Sequence, residues 1–218
     1  MNLYDIREFK NIRTTSRKYS INPVQYSGHA SALPGELDFN FRIKLENSEG
    51  YILKISRPDE DEEYLDFQQQ LLQYIEANGK DLISPIVVPD VNKEPISEII
   101  DDSGNIRKVR LLTWVTGRVW SQVNPQLDNL RYSLGEKCGL LTQALQGFTH
   151  AKAQREFVWD IAQSLWTVEH IQLFAGEEKK IISHFQYRFK ASQKTYSGLR
   201  KSVVHNDAMI IMSLCPLN

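Results

Sequence analysis

The sequence predicts an α+β fold in which a β-rich first half is followed by a helical second half. Two observations carry this expectation. As far as about residue 115, short β-branched and aromatic runs alternate with Gly, Pro, Asn and Asp turns. Beyond Pro125 the apolar residues fall into helical periods instead. The change of character lies near residues 117–125, which divides the chain into a β-rich lobe over 1–117 and a helical lobe over 118–218.

The strands come first. Tyr26–Leu33 and Phe39–Leu45 read as a pair joined by Leu33-Pro34-Gly35-Glu36-Leu37-Asp38, which has the Pro and Gly of a tight turn. Asn47-Ser48-Glu49-Gly50 reads as a second hairpin turn leading into Tyr51–Ile55, so the three strands form a meander. Pro58 and the acids Asp59–Glu63 suit a helix first turn, where they complement the dipole. Tyr64, Leu65, Phe67, Leu71, Leu72 and Ile75 continue that helix at a near-3.6 period, and Gly79 ends it. Leu82–Val88 is expected as a strand with prolines at its ends. Ile96–Ile100 and Lys108–Val115 flank the turn Asp101–Asn105. Ile6–Tyr19 is a weaker helix candidate.

The second half predicts three helices. Leu127–Gly147 carries the stripe Leu130, Leu134, Cys138, Leu141 and Leu145, which is expected to pack inward. Arg155–Phe174 carries Phe157, Trp159, Ile161, Leu165, Trp166 and Val168, with Trp159 expected in the core. Glu177–Gln193 follows with Ile181, Ile182, Phe185 and Phe189. His150, His170 and His184 show no ligand spacing and read as surface or capping residues. The chain then runs through Ser202-Val203-Val204-His205-Asn206-Asp207, where two β-branched residues read as a short buried strand delivering an acid.

Composition narrows the function classes. The 218 residues suffice for two lobes sharing a cleft. The net charge of −1, without a basic patch, leaves no electrostatic footprint for nucleic acid. Met1–Lys18 is charged throughout, unlike a secretory signal, and no run approaches the ~20 apolar residues of a membrane span. Cys138 and Cys215 fit no metal or disulfide framework. A reduced, cytoplasmic setting is the expectation.

Three stretches could carry chemistry. The turn around Gly35 would let backbone amides approach an anion, although a plain hairpin tip reads the same way. Lys54 interrupts an apolar strand and could aim a point charge into a cleft, although a lone edge-strand lysine more often snorkels to solvent. Asp207 follows Val-Val-His and reads as an acid delivered to the mouth of a cleft, with a helix-capping or solvated aspartate as the less favoured reading.

Order and spacing of these stretches resemble the aminoglycoside phosphotransferase family of protein-kinase-like small-molecule kinases. The branch with the hydroxylysine and homoserine kinases is nearest. His205-Asn206-Asp207 resembles the start of its catalytic loop. Glu36-Leu37-Asp38-Phe39-Asn40-Phe41 resembles its nucleotide loop. Leu111-Leu112-Thr113-Trp114-Val115-Thr116-Gly117 resembles its hinge. Trp159-Asp160 resembles a further segment of that branch. The resemblance covers roughly residues 15–208 and implies ATP, with Mg²⁺, held between two lobes. It implies Asp207 as base with His205 beside it, and phosphates held by Lys54 under the turn of Gly35, Asp38 and Asn40. The hinge Leu112, Trp114 and Thr116 would meet the adenine, and Gln68 would stand where a helix Glu usually pairs with the lysine. The implied acceptor is a hydroxyl of a small amine-bearing metabolite.

The pattern departs from the family after Ala208. The family's metal-binding asparagine, five residues past the aspartate, is Met212 here, and no metal ligand is assigned in this chain. With the codons of Met209–Cys215 written ATG ATA ATA ATG TCC TTG TGT, one restored A before them yields Asn-Asp-Asn-Asn-Val-Leu-Val, which resumes the family pattern. The expectation is therefore a kinase truncated by a one-base deletion, with a helical lobe left incomplete and little or no transfer. Self-association through apolar surface near Phe185 and Phe189 is expected with it. The other reading that these residues leave open is a non-catalytic nucleotide-binding or protein-interaction module.

Overall fold

The computed structural model describes residues 28–35, 37–156, 158, 160–205 and 214–215. The helix expected over Ile6–Tyr19 lies outside the described residues, as do Phe157, Trp159, Asn206, Asp207 and Met212. The chain forms two compact units, residues 1–146 with 204–218, and residues 147–203.

The first unit is built on one antiparallel sheet. Strands β1 (Gly28–Leu33), β2 (Phe39–Leu45) and β3 (Ser48–Ile55) form the expected meander. β6 (Ile106–Thr113) pairs with β3. The short strands β4 (Val87–Val88) and β5 (Ser97–Ile100) also pair with β6. The β2–β3 turn falls at Glu46–Asn47, earlier than the predicted Asn47–Gly50. Gly50 lies inside β3 with φ +80°, close to where the register shifts between Ile43 and Leu45. A side chain there would collide with the carbonyl of Ile43, so this glycine serves a bulge and not a turn tip.

The strand expected over Leu82–Val88 shrinks to two residues. Pro85 and Pro89 have no N–H to give a ladder, and Ile86 N–H donates to the Thr113 hydroxyl at 2.9 Å. Between β5 and β6, Asp101 organises the predicted turn. Its carboxylate accepts from Ser103 N, Asn105 N and the Arg107 guanidinium at 3.0, 2.8 and 2.6 Å.

Helix α1 (Glu62–Asn78) starts later than Pro58. Asp61 is its cap, accepting from Glu63 N and Tyr64 N at 3.0 and 3.4 Å, because an Asp side chain satisfies first-turn amides that a proline cannot. Leu65, Gln69 and Ile75 are its buried residues, and Gly79 closes it. Glu62 ties its first turn to the sheet through Lys108 Nζ at 2.8 Å. Helix α2 (Asp128–Ala144) follows the predicted span, but its stripe is only half-buried. Leu145, just past its end, is buried. Tyr74 on α1 donates its hydroxyl to Gln146 O at 3.0 Å, and Lys137 on α2 donates to Asp81 O at 3.2 Å. A two-stranded ribbon of β7 (Arg118–Val119) and β8 (Leu214–Cys215) completes the unit.

The second unit departs more from expectation. The α-helix predicted over Arg155–Phe174 is a 3-10 helix over Ile161–Leu173. Asp160 fixes its start by accepting from Ala162 N at 2.9 Å, and the Gln163 amide bridges Asp160 to Arg155 O. Helix α3 (Gly176–Ser197) packs along it, with Gln186 Nε2 donating to Thr167 Oγ1 at 3.2 Å. Phe185 is exposed and Phe189 half-buried. His150 caps a short turn by accepting from Lys152 N at 3.0 Å. The buried strand expected at Ser202–Val204 is not formed. Those residues are irregular and Val204 is 47% exposed, since a strand persists only where a neighbour pairs with it.

Candidate functional site

The register across β2, β3 and β6 assembles the site. Asn40 pairs with Lys54, and Lys54 pairs with Arg110. Residues paired directly across antiparallel strands point to one face, so the three polar side chains form a row across the sheet. Lys54 Nζ donates to Asn40 Oδ1 at 2.8 Å and lies 3.1 Å from Asp38 Oδ2. The same Asp38 oxygen accepts from Arg110 at 2.6 Å. The other arm of the guanidinium donates to Gln68 Oε1 on α1 at 2.5 Å.

One hydrogen-bonded chain therefore runs from α1 through β6 to the β1–β2 turn and on to β3. The turn itself is held from beneath by Asn40, whose Nδ2 donates to Pro34 O and Asp38 O, each at 3.3 Å. Gly35 packs so tightly over that amide that an added Cβ would collide with Asn40 Nδ2 and lie 2.5 Å from Asp38 O. The close approach requires glycine.

The electrostatics are lopsided. One carboxylate serves two cations, which leaves an excess of one positive charge. The Arg110 side chain is only 2% exposed, and its Nε is buried without a hydrogen-bond partner. Burial pulls its pKa down while the Asp38 and Glu60 charges push it back, so the guanidinium stays ionised. The Lys54 side chain is 24% exposed, against 2% for Arg110, and Asn40 is half-buried. Such a row can hold an anion: an ammonium at the rim, a turn with glycine beside it, and a buried cation behind.

Of the sequence-predicted residues, Gly35, Asp38, Asn40, Lys54 and Gln68 come together here. Gln68 does not contact Lys54 as a partner. Its oxygen is taken by Arg110, and the lysine is instead held by the acid of the turn. Leu112 is buried two residues along β6, and Trp114 N–H donates to Gly50 O at 3.1 Å. Thr116 and His205 are exposed, and Asp207 lies outside the described residues.

Sequence reasoning missed Arg110 as a site residue. A charged residue between Val109 and Leu111 was a visible signal, but only the pairing with Lys54 gives it meaning. Beside the row, the Arg42 guanidinium carbon sits 3.9 Å from the Trp114 ring centre, and its NH2 donates to Glu49 at 2.8 Å.

Comparisons with known proteins bear on the family and the fold. The model of the phosphotransferase enzyme family (APH) matches residues 29–210. No curated protein matches the chain. Among solved structures, a microcompartment-associated aminopropanol kinase is similar with a TM-score of 0.66 at 16% identity, over 89% of this chain and 62% of that one. The amicoumacin kinase hAmiN, in complex with AMP-PNP, Ca²⁺ and Ami, is similar with a TM-score of 0.56 at 16% identity, over 79% of this chain and 49% of that one. The chain thus spans less than two thirds of either structure. The likeness establishes a protein-kinase-like α+β fold with a β-rich first lobe. No helix among the described residues is long and apolar enough to cross a membrane.

Proposed function

Since the chain belongs to the phosphotransferase enzyme family (APH), we propose that its β-rich lobe, residues 1–117, binds the phosphates of ATP and that its site is built for phosphoryl transfer to a hydroxyl of a small amine-bearing molecule. The observation that carries this reading is the Lys54 ammonium, fixed by Asn40 at 2.8 Å and Asp38 at 3.1 Å beside the Gly35 turn. A lysine so fixed loses little freedom when it turns to a phosphate, and the backbone at Gly35 can approach the same oxygens. Asp38 would release part of its hold on Lys54 as phosphate replaces it, while Arg110 keeps the turn in place.

Lys54 and the Gly35 turn suit the phosphates of a nucleoside triphosphate. The chain fits Mg²⁺ poorly at position 212, where a methionine thioether stands and a hard oxygen is needed. Asp207, with His205 two residues before it, is the proposed proton acceptor for the attacking hydroxyl. The helical lobe, 118–218, would supply these groups. Turnover is therefore proposed to be slow or absent while nucleotide binding persists. The amine-bearing acceptor rests on the motif resemblance and on the aminopropanol substrate named for one similar kinase.

The test is ADP release from ATP and Mg²⁺ in the presence of amino alcohols, with nucleotide binding followed in parallel. Binding with little ADP release is the expected result. Rapid release abolished by Asp207→Asn would contradict the proposed weakness of the metal site. Failure to bind ATP at millimolar concentration would overturn the whole reading.

A further inference from the structure

Arg42 occupies a position that the phosphate site does not explain. It lies two residues along β2 from Asn40 and hence on the same face of the sheet. The register places Ile52 and then Leu112 in line with it, so a second row, Arg42–Ile52–Leu112, runs beside the Asn40–Lys54–Arg110 row. This second row is mainly apolar, and Leu112 is buried. Yet its β2 member is a guanidinium lying 3.9 Å over the ring centre of Trp114. Glu49 accepts from NH2 at 2.8 Å, while Nε is buried with no hydrogen-bond partner. An ordinary surface ion pair would need neither the stack nor the shielded donor.

We infer that Arg42 is a specificity-determining residue of the nucleotide site, offering its planar guanidinium as a stacking surface for a purine base. This rests on the proposal that Lys54 and the Gly35 turn hold the phosphates. With phosphates at the first row, the sugar and base extend along the sheet to the second. A guanidinium backed by an indole is rigid and weakly hydrated, and it attracts a π face without reading the pattern of donors and acceptors on the base edge. The ligand class is therefore a purine nucleoside triphosphate, with adenine and guanine bound within about threefold of each other because stacking tolerates base identity.

The test compares ATP with inorganic tripolyphosphate, which has the phosphates and no base, on the full chain. Calorimetric affinities would be measured for the wild type, Arg42→Met, Arg42→Lys and Lys54→Ala. Arg42→Met is expected to weaken ATP by about tenfold and to leave tripolyphosphate unchanged. Arg42→Lys should not restore ATP, since a lysine keeps the charge without the plane. Lys54→Ala should weaken both ligands. Glu49→Gln, which removes the ion pair but not the stack, should leave ATP affinity within about twofold and shows whether loss of fold accounts for the Arg42 result. If Arg42→Met weakens both ligands equally, or neither, the base-stacking role is overturned while the phosphate site stands. If the wild type binds neither ligand, the phosphate site fails and this inference with it.

Discussion

Replacing Arg110 by methionine tests the physical basis of the site. The guanidinium is nearly sealed from water and holds two partners, Asp38 at 2.6 Å and Gln68 at 2.5 Å. Removing one partner of a buried charge pair costs about 3–5 kcal/mol, because the other charge stays buried and unpaired. Lys54 remains 3.1 Å from Asp38, which moderates that loss, whereas Gln68 Oε1 loses the guanidinium donor. The balance is a destabilisation of about 3 kcal/mol. For a chain of this size that corresponds to a fall in Tm of roughly 6–12 °C. Urea denaturation of the wild type, Arg110→Met, Asp38→Leu and the double variant would close a cycle. A coupling of about 2 kcal/mol or more is expected between residues in direct contact. A single-variant loss under about 1 kcal/mol with no coupling would refute the reasoning, since Arg110 would then be mere packing.

Other perturbations follow from the same structure. Gly35→Ala should weaken ATP binding with little change in overall stability, read by titration calorimetry, because the methyl would force the turn off Asn40. Gly50→Ala should destabilise the sheet by about 1–3 kcal/mol in urea melts, since a side chain at φ +80° meets the Ile43 carbonyl. Asp61→Ala should cost about 1 kcal/mol through lost capping of α1, with the helix signal melting earlier. Asp101 titrates at about 2, held low by the Asn105 backbone amide and the Arg107 guanidinium. A folded-state value below the ordinary one means that its contribution is present above about pH 4 and is lost as pH falls towards 2. Asp101→Asn should flatten that part of an acid-denaturation curve.

The β-rich lobe was legible because its signals are local. Alternating apolar residues and Gly, Pro and Asp turns set β1, β2, β3 and β6 within a few residues. Asp38 and Asn40 were singled out by the resemblance of Glu36–Phe41 to a nucleotide loop and Lys54 by its place in an apolar strand, and the structure brings the three side chains together. What they bind to one another was not legible, since the pairing of Gln68 with Arg110 joins residues 42 positions apart. Periodicity also did not separate an α-helix from the 3-10 helix at Ile161–Leu173, because apolar residues spaced three apart, such as Leu165 and Val168, share a face in either. The strand at Ser202–Val204 was inferred from β-branched composition alone, and composition cannot supply the neighbour that a strand requires.

The most direct measurement is calorimetric titration of ATP into the full chain and into Lys54→Ala. The account predicts saturable binding by the wild type and at least a tenfold loss in the variant, the cost of a charge-assisted bond to phosphate. Equal affinities would contradict it, because the row of Asn40, Lys54 and Arg110 would then have no part in holding the nucleotide.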